Sequence, residues 1–536
     1  MRRKMKALIA GVCAVVCAFS IMSYSSSNIV TRQQVEAASS KTTKKTTTKK
    51  TTQTTKKTTQ TTAKKTTTTQ KKPKYIFLFI GDGMSYPQIQ MSNYYLNALC
   101  QGTDSKVLRS QSKLAFMHFP VAGTAQTYDS TSFCPDSAST ATSISTGHKT
   151  YSGTINMDEN MTVEYETIAE KLKSQLGYKI GVLTSVNLNH ATPAAFYAHQ
   201  ASRNNYYEIG QELIASNFDY FAGGALLKPT GANNDKEDLY DLAKKAGYTV
   251  VTTQNDAKKL TAKDGKAIVV SETLADSNSM SYELDAAKDE WRLADYVAKG
   301  IDVLDNDKGF FMMVEGGKVD WACHANDAAS AIKDTIALDN AVQEAIKFYN
   351  EHPDETLILV TGDHETGGLT IGYAGTNYDT FLTNLKNQKI SYAKFDSDYV
   401  ASYKKNRTSF DDVMKDVKNL FGLRTKDDLD ASKNTKLVLT DYELQKLKAA
   451  YDRTMSVGVD TKNMTQEQYV LYGSYEPLTV TLTHILNNKS GVSFSSYSHT
   501  GLPVAVLAQG VGSDLFEGYY DNTNIYKNIA SLTGVK

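Results

Sequence analysis

The stretch Tyr75–Met84, YIFLFIGDGM, joins six hydrophobic residues to a glycine, an aspartate and a second glycine. The same pattern recurs at Thr356–Gly368, TLILVTGDHETGG. A continuous hydrophobic run of this length is typical of a strand buried on both faces, as in a parallel sheet. The glycines allow other groups to approach the backbone closely where the run ends. Each stretch therefore predicts a buried strand that delivers polar side chains at its carboxyl end.

Two further hydrophobic runs lead into polar residues in the same way, Lys179–Thr184 (KIGVLT) and Gly309–Val314 (GFFMMV). A third run, Val504–Ala508 (VAVLA), instead follows the polar segment His499–Gly501. Segments with helical spacing of hydrophobic residues lie between them, such as Ala325–Tyr349. Alternating strands and helices predict an α/β fold with a central, largely parallel sheet sandwiched by helices. In such folds the functional site lies at the carboxyl edge of the sheet.

Metal-type ligands are concentrated at the predicted strand ends. The chain has nine histidines, and four of them fall in these junctions: His190, His324, His364 and His499. Asp320 and His324 are spaced by one helical turn, and Asp363 is adjacent to His364. A single junction of this kind could be an ordinary helix cap. Together they predict a site of imidazole and carboxylate ligands, the set that zinc hydrolases use.

A different chemistry is indicated by Cys134–Ala141, CPDSASTA, which opens a run of small residues extending to Gly147. Proline, aspartate and serine are typical of helix starts. Ser137 would then lie at a helix amino terminus, where the helix dipole favours an anion. Alone, this is an N-cap; beside a metal centre, Ser137 becomes a candidate nucleophile.

In combination these motifs resemble the alkaline phosphatase family, metal-dependent phosphomonoesterases with a serine nucleophile. The matching segments occur in the family's order: GDGM (81–84), PDSASTATSISTG (135–147), HATPAAFYAH (190–199), VEGGKVDWACH (314–324), TGDHETGG (361–368) and HTG (499–501).

The resemblance implies hydrolysis of phosphate monoesters through a phosphoserine at Ser137, with Arg203 holding the phosphate. It implies two Zn²⁺ ions and one Mg²⁺ ion. One zinc is assigned to Asp82, Asp363 and His364, the other to Asp320, His324 and His499, and magnesium to Asp82, Thr192 and Glu315, with His190 beside them. His190 occupies a position that is Asp in some members and His in others, which bears on the third metal. Trp321 occupies a position where members carry Lys, His or Trp, and an indole supplies no cationic contact to phosphate.

The resemblance also implies an inserted small surface subdomain, crown-like, at about residues 380–485, and a homodimer. About 130 residues separate Gly368 from His499, too many for a loop in a compact domain. The region of residues 236–289 is expected to be peripheral as well. The catalytic domain as a whole is expected to span residues 75–536.

The charges divide the chain unequally, although the formal net charge is only +1. Residues 1–74 hold 17 basic residues and one acid, whereas residues 75–536 hold 42 basic and 57 acidic residues. An acidic body argues against specific nucleic-acid binding. Its length is sufficient for a large hydrophobic core.

The amino-terminal segment predicts export to an extracellular or cell-surface location. A basic start and the hydrophobic run of residues 7–22 resemble a signal peptide (residues 1–38), with cleavage near Ala37 or Ala38. Residues 39–74 contain 17 Thr and 12 Lys and no acid, which predicts a disordered linker. The linker could contact a cell wall or another surface polyanion, or act only as a spacer. Three cysteines remain after cleavage, Cys100, Cys134 and Cys323, enough for at most one disulfide.

Three other interpretations differ in chemistry. A phosphodiesterase or a sulfatase of the same superfamily would share the metal ligands. A catalytically silent surface protein would use only its cationic linker, but the full ligand set argues against this. A Ser/His/Asp hydrolase is disfavoured because no G-x-S-x-G motif surrounds Ser137.

Overall fold

The computed structural model describes residues 71–102 and 112–536. The predicted signal peptide, residues 1–38, and residues 39–70 of the predicted linker lie outside the described residues. Within the described chain, no helix has the length and apolar character needed to cross a membrane.

A ten-stranded sheet forms the centre of the fold, in the spatial order β14-β2-β13-β8-β1-β7-β3-β4-β6-β5. Its strands are β1 (Tyr75–Gly81), β2 (Val121–Gln126), β3 (Lys179–Asn187), β4 (Tyr220–Gly224), β5 (Tyr248–Val251), β6 (Lys266–Val270), β7 (Phe310–Glu315), β8 (Thr356–Gly362), β13 (Val504–Gly510) and β14 (Gly518–Asp521). Four short strands pair outside it: β9 (Glu365–Thr366) with β12 (His499–Thr500), and β10 (Thr370–Ile371) with β11 (Val492–Ser493).

The five strands that the sequence predicts are the five neighbours at the centre, β13, β8, β1, β7 and β3. Strand β13 runs antiparallel to both of its neighbours, and the other pairings of the sheet are parallel. The largely parallel α/β sheet is therefore confirmed.

Helices cover both faces of the sheet. They are α1 (Tyr86–Gln101), α2 (Ser137–Thr146), α3 (Ile168–Lys171), α4 (Ala191–Ala194), α5 (Tyr206–Ala215), α6 (Leu239–Lys245), α7 (Gln254–Ala257), α8 (Leu293–Leu304), α9 (Lys318–His324), α10 (Ala328–Glu351), α11 (Tyr392–Lys394), α12 (Ala401–Asn406), α13 (Phe410–Phe421), α14 (Asp441–Ser456), α15 (Gln466–Tyr472), α16 (Pro477–Lys489) and α17 (Thr523–Thr533).

Strand β1 shows why its sequence is continuously hydrophobic. Tyr75, Phe77 and Phe79 belong to one hydrophobic cluster, while Ile76, Leu78 and Ile80 belong to another. Alternate side chains of a strand point to opposite faces, so both layers of helices draw on the same strand. All six residues are buried.

The long segment between Gly368 and His499 is mostly helical. Strands β10 and β11 pair antiparallel where the chain leaves and returns, so the segment is anchored at its base. Its buried residues Phe395, Val413 and Phe421 belong to the same cluster as one face of the sheet. The segment thus packs on the main core through its own hydrophobic residues.

Residues 236–289 contribute β5 and β6, which end the sheet on one side. Contacts with the body also begin before Tyr75. Lys72 Nζ donates to Thr533 O at 2.8 Å, and the Tyr178 hydroxyl donates to Pro73 O at 2.7 Å.

Candidate active site

Parallel pairing aligns the carboxyl ends of four central strands. Ile80 of β1 pairs with Glu315 of β7 and with Thr361 of β8, and Thr184 of β3 also pairs with Glu315. The residues that follow each strand consequently emerge at one edge of the sheet. This register is what brings distant motifs of the chain into a single site.

The first candidate metal group comprises Asp82, Asp363 and His364, whose ligand atoms lie within 4.8 Å of one another. His364 Nε2 is 3.3 Å from Asp82 Oδ1 and 3.3 Å from Asp363 Oδ2. All three side chains are buried. The structure thus brings together the three residues that the resemblance assigns to one zinc, and that assignment stays a prediction.

The second candidate group comprises Asp320, His324 and His499. His324 Nδ1 is 2.6 Å from the carbonyl oxygen of Tyr497, and His499 Nδ1 is 2.5 Å from that of Pro135. A carbonyl only accepts, so both rings carry their proton on Nδ1. The two Nε2 atoms face each other at 3.1 Å, beside the Asp320 carboxylate. Two converging lone pairs next to a carboxylate fit a shared cation.

The two groups share supporting contacts. The rings of His364 and His499 stack with centroids 3.6 Å apart. The Thr366 hydroxyl donates to Asp320 Oδ1 at 2.5 Å and lies 3.2 Å from His364 Nδ1. Thr366 and His499 are paired residues of the small β9–β12 ladder, which therefore fixes the separation of the groups.

A third, oxygen-rich group adjoins Asp82. Thr192 Oγ1 is 3.3 Å from Asp82 Oδ2, and the Thr184 hydroxyl donates to Glu315 Oε2. Glu315 Oε1 is buried without a hydrogen-bond partner in the described chain. An orphaned carboxylate oxygen among other oxygens fits a hard cation such as magnesium.

Within the described residues, no hydrogen bond or ion pair joins His190 to this group. Its Nε2 lies 3.4 Å from Arg203 Nη2, and its Nδ1 is buried without a hydrogen-bond partner among the described residues. The structure therefore places His190 against the arginine. Its assignment as a metal-site residue stays a prediction.

Ser137 begins helix α2, as the sequence indicates. Asp136 is the N-cap and accepts from Ser139 N at 3.0 Å. Ser137 Oγ lies 3.1 Å from His364 Nε2 and 3.4 Å from Asp82 Oδ1. The hydroxyl thus lies at a helix amino terminus and directly beside the first metal group.

Asp136 also holds Arg203, accepting from Nη1 at 2.9 Å. With His190 on Nη2, the guanidinium is fixed from two sides. Burial alone would raise the pKa of Asp136, but the Arg203 charge and backbone N–H donors keep that pKa below its usual range. Asp136 stays ionised and Arg203 stays oriented.

Without bound cations, the buried carboxylates of the site disfavour one another's ionised form. Burial, together with Asp363 and Asp320, raises the pKa of Asp82 well above its usual value. Burial and the neighbouring Asp320 raise the pKa of Asp363 to about 8, and burial raises that of Glu315 to about 7. Several carboxylates this close cannot all remain ionised without compensating cations.

The sequence missed several supporting residues. Thr184 ends a predicted strand, so the register argument could have found it. The sequence marks Asp136 only as a residue typical of a helix start. Pro135 and Tyr497 contact the histidines through backbone carbonyl groups, so their residue types do not indicate these contacts. Cys323 is buried, Cys100 and Cys134 are exposed, and all three thiols are free.

The sequence model of the alkaline phosphatase family matches residues 73–535. The chain belongs to the alkaline phosphatase family. Alkaline phosphatase 3 of Bacillus subtilis is 30% identical over 466 residues, which cover 85% of this chain and 88% of the relative. The crystal structure of the cold-active alkaline phosphatase from the psychrophile Shewanella sp. is 28% identical with a TM-score of 0.68, covering 86% of this chain and 99% of that one.

A structure of the alkaline phosphatase from the Antarctic bacterium TAB5, with one histidine replaced by aspartate, is described with magnesium bound in its M3 site. It is 25% identical with a TM-score of 0.56 and covers 87% of this chain and 99% of that one. This alkaline phosphatase is therefore a hydrolase of a metal-dependent family, and its described residues include matching candidate ligand groups.

Proposed function

We propose that this alkaline phosphatase hydrolyses phosphate monoesters through a phosphoserine formed on Ser137. The observation that carries the proposal is the position of Ser137 Oγ, 3.1 Å from His364 and at the first turn of α2. This hydroxyl lies beside the carboxylates and imidazole of the first candidate metal group. The amino terminus of its helix favours the negative charge of a phosphoryl group.

Two zinc ions and one magnesium ion complete the proposed site. Asp82, Asp363 and His364 would hold one zinc, and Asp320, His324 and His499 the other. Asp82, Thr192 and Glu315 would hold magnesium. When bound, these cations stabilise the negative charge that develops on the attacking and leaving oxygens.

The chain's own residues then have distinct tasks. Arg203, fixed by Asp136 and His190, donates to the non-bridging oxygens of the phosphoryl group. The Ser137 oxygen forms a bond to phosphorus while the P–O bond of the ester breaks, and the alcohol is released. Water then hydrolyses the phosphoserine, which regenerates the hydroxyl and releases inorganic phosphate. Neither half-reaction needs a reductant or an oxidant.

The test compares two serines of the same helix. Ser137→Ala is expected to abolish turnover of an aryl phosphate while zinc and magnesium content stays at the wild-type level. Ser143→Ala is the matched control, because Ser143 is equally buried but its hydroxyl donates to Ser139 O. Unchanged turnover in Ser137→Ala would refute the nucleophile assignment. Bis-aryl phosphate and aryl sulfate, tested in parallel, should be poor substrates.

We also infer that the protein forms a homodimer through an apolar surface at the β2–β14 edge. Tyr128, Phe133 and Tyr519 are exposed there and line a cavity of about 340 Å³. Exposed aromatic side chains gathered around one depression mark an association surface. Sedimentation analysis should give a dimer mass for the wild type and a monomer for Tyr519→Asp; a dimer that survives this change places the interface elsewhere.

For residues 1–74 the proposal is export and surface retention. The leader would direct secretion, and the Thr/Lys-rich linker would contact a polyanion through its positive charge. The substrates would be small phosphate esters outside the cell.

A further inference from the structure

Lys318 is a buried lysine beside the active site. Its side chain is 0% exposed, and Nζ lies 2.6 Å from Asp276 Oδ1. Burying an ammonium group is unfavourable unless it is paired and enclosed by groups that favour a cation. The surroundings of Lys318 supply such groups, and its position on α9 places it two residues from Asp320 and three from Trp321.

Two aromatic faces enclose this ammonium. Nζ lies 4.1 Å from the ring centroid of Tyr282 and 4.7 Å from that of Trp321. Both distances are within the range of cation–π attraction, and tryptophan is the strongest aromatic partner. Lys318 and Trp321 are three residues apart on one helix, so the contact follows from helical geometry.

Trp321 connects Lys318 to the proposed phosphate-binding residues. Its indole meets the His190 ring edge-on, with centroids 5.8 Å apart and planes at 75°. His190 Nε2 in turn faces Arg203 Nη2 at 3.4 Å. An unbroken series of contacts therefore runs from Lys318 through Trp321 and His190 to Arg203.

We propose that Lys318 is a positioning residue for phosphate binding, which holds the Trp321 indole against His190 and so fixes the Arg203 guanidinium. The proposal rests on the function proposed above, because Arg203 is assigned there to the phosphoryl oxygens. Lys318 does not touch substrate, because its side chain is fully buried and its ammonium is paired with Asp276. Its effect is on affinity for phosphate, exerted through Trp321.

The chain's two tryptophans, Trp291 and Trp321, make a direct readout available. In a Trp291→Phe background, Trp321 is the sole tryptophan, and the metal-loaded protein can be titrated with inorganic phosphate while indole emission is recorded. Lys318→Met is expected to change the emission of the phosphate-free protein. It should also raise the phosphate Kd about three- to tenfold, the range expected for losing one cation–π contact. The kcat for an aryl phosphate should change by less than about twofold, because Arg203 contacts the phosphoryl oxygens in the bound ester as well as during transfer, so the loss appears mainly in KM.

Two control variants test the role of the charge. Lys318→Arg keeps a cation over the rings and should keep the phosphate Kd close to wild type. Lys299→Met removes a different ion-paired lysine, on α8, whose side chain is 14% exposed, and should leave both emission and phosphate Kd unchanged. Equal effects of Lys299→Met and Lys318→Met would overturn the proposal.

A purely structural role of Lys318 predicts a different result. Lys318→Met leaves Asp276 without its partner, and the loss of stability could itself disturb the site. The double variant Lys318→Met/Asp276→Asn removes the unpaired charge and is expected to recover thermal stability. We expect its phosphate Kd to stay raised and its Trp321 emission to stay altered; recovery of both would overturn the positioning role.

Arg203→Ala separates this inference from the proposed function. If Arg203→Ala leaves the phosphate Kd unchanged, the assignment of Arg203 fails, and the Lys318 proposal fails with it. If Arg203→Ala weakens phosphate binding but Lys318→Met does not, the proposed function stands and only the Lys318 inference is wrong.

Discussion

Asp136 shows how one carboxylate can organise two functional groups. It caps the helix that begins with Ser137, and it pairs with Arg203, which follows 67 residues later in the chain. It also accepts from Gly153 N at 2.9 Å. The proposed nucleophile and the proposed phosphate-binding arginine are therefore both positioned by the Asp136 carboxylate, which sets their separation.

His199, at the end of the HATPAAFYAH motif, forms ion pairs with glutamates of two helices. Nε2 lies 3.5 Å from Glu170 Oε2 and Nδ1 lies 3.8 Å from Glu212 Oε2. Burial disfavours the charged ring, but hydrogen bonds and the charges of Glu170 and Glu212 prevail and raise its pKa to about 10. A histidine whose pKa is higher in the folded state stabilises the fold fully below its unfolded pKa of about 6.5, and this stabilisation is lost as pH rises through 10.

The substitution His199→Gln should lower the free energy of unfolding by about 1.5–3 kcal/mol at pH 6, the range for hydrogen bonds to charged groups. The loss should become progressively smaller towards pH 10. Denaturant unfolding of the metal-loaded proteins across this range measures the difference. His118→Gln, a change at an exposed histidine, is the control and should alter the free energy of unfolding much less. A constant difference for His199→Gln would contradict the ion-pair account.

At the scale of elements, the site depends on close approach of strands β1 and β8. Gly362 ends β8 immediately before Asp363, and a Cβ there would overlap the carbonyl oxygen of Met84. Backbone cannot yield as a flexible side chain can. Glycine at this position therefore allows the loops bearing Asp82 and Asp363 to lie side by side.

Gly362→Ala should consequently damage both stability and metal binding. Overpacking of this kind costs about 1–3 kcal/mol, and displacement of Asp363 should lower zinc content. Gly102→Ala is the comparison, because Gly102 has φ of 65° and open space around its Cβ position. It should cost about 1 kcal/mol by backbone strain and retain full zinc. Normal zinc in Gly362→Ala would show that the loop tolerates displacement.

Elements differ in how well the sequence predicts them. Strand β1 was predictable because both of its faces are buried and every residue is hydrophobic. Strand β2, VAGTAQ, and strand β14, GYYD, are partly exposed and carry small or polar residues, so no hydrophobic run marks them. Strand β5 begins with a buried Tyr248, but its Thr249 is exposed. Tertiary pairing at the sheet edges, not local composition, makes these segments strands.

The same limit applies to the site. Asp363 and His364 follow a predictable strand, and their convergence with Asp82 follows from parallel register. The contacts of Arg203 with Asp136 and His190 join residues from loops, whose positions no periodic pattern specifies. Tyr497 acts on His324 through a backbone carbonyl, which every residue possesses. Such contacts become visible only when the chain is folded.

Over the whole molecule, bound cations should determine stability as well as activity. Burial raises the pKa of Glu315 to about 7, and burial together with Asp320 raises that of Asp363 to about 8. Unfolded carboxyls titrate near 4, so the metal-free fold binds more protons than the unfolded chain between these values. These two carboxyl groups therefore lower the stability of the metal-free fold as pH rises from about 4 to about 8.

Chelation tests this expectation. The EDTA-treated protein should lose stability steadily between pH 5 and 8, whereas protein with excess zinc and magnesium should not. At free metal about 1,000 times Kd, binding should restore about 4 kcal/mol per site. Thermal unfolding with and without EDTA measures both effects. Equal melting temperatures at pH 8 would show that the carboxylates are stabilised by other means.

The positive charge of the linker is expected to have no part in catalysis, because in the proposed site the phosphate ester contacts Arg203 and bound cations, whatever the mean charge of the acidic body. Deleting residues 39–70 removes nine lysines but keeps Lys72 and Pro73, which contact the body. The truncated protein should turn over an aryl phosphate with wild-type kcat/KM. It should elute from an immobilised polyanion at lower salt, because exposed charges act over about 10 Å at 0.1 M ionic strength. A linker of equal length with these lysines changed to Gln should behave like the deletion. A large loss of kcat/KM in either variant would mean that the linker takes part in the catalytic fold.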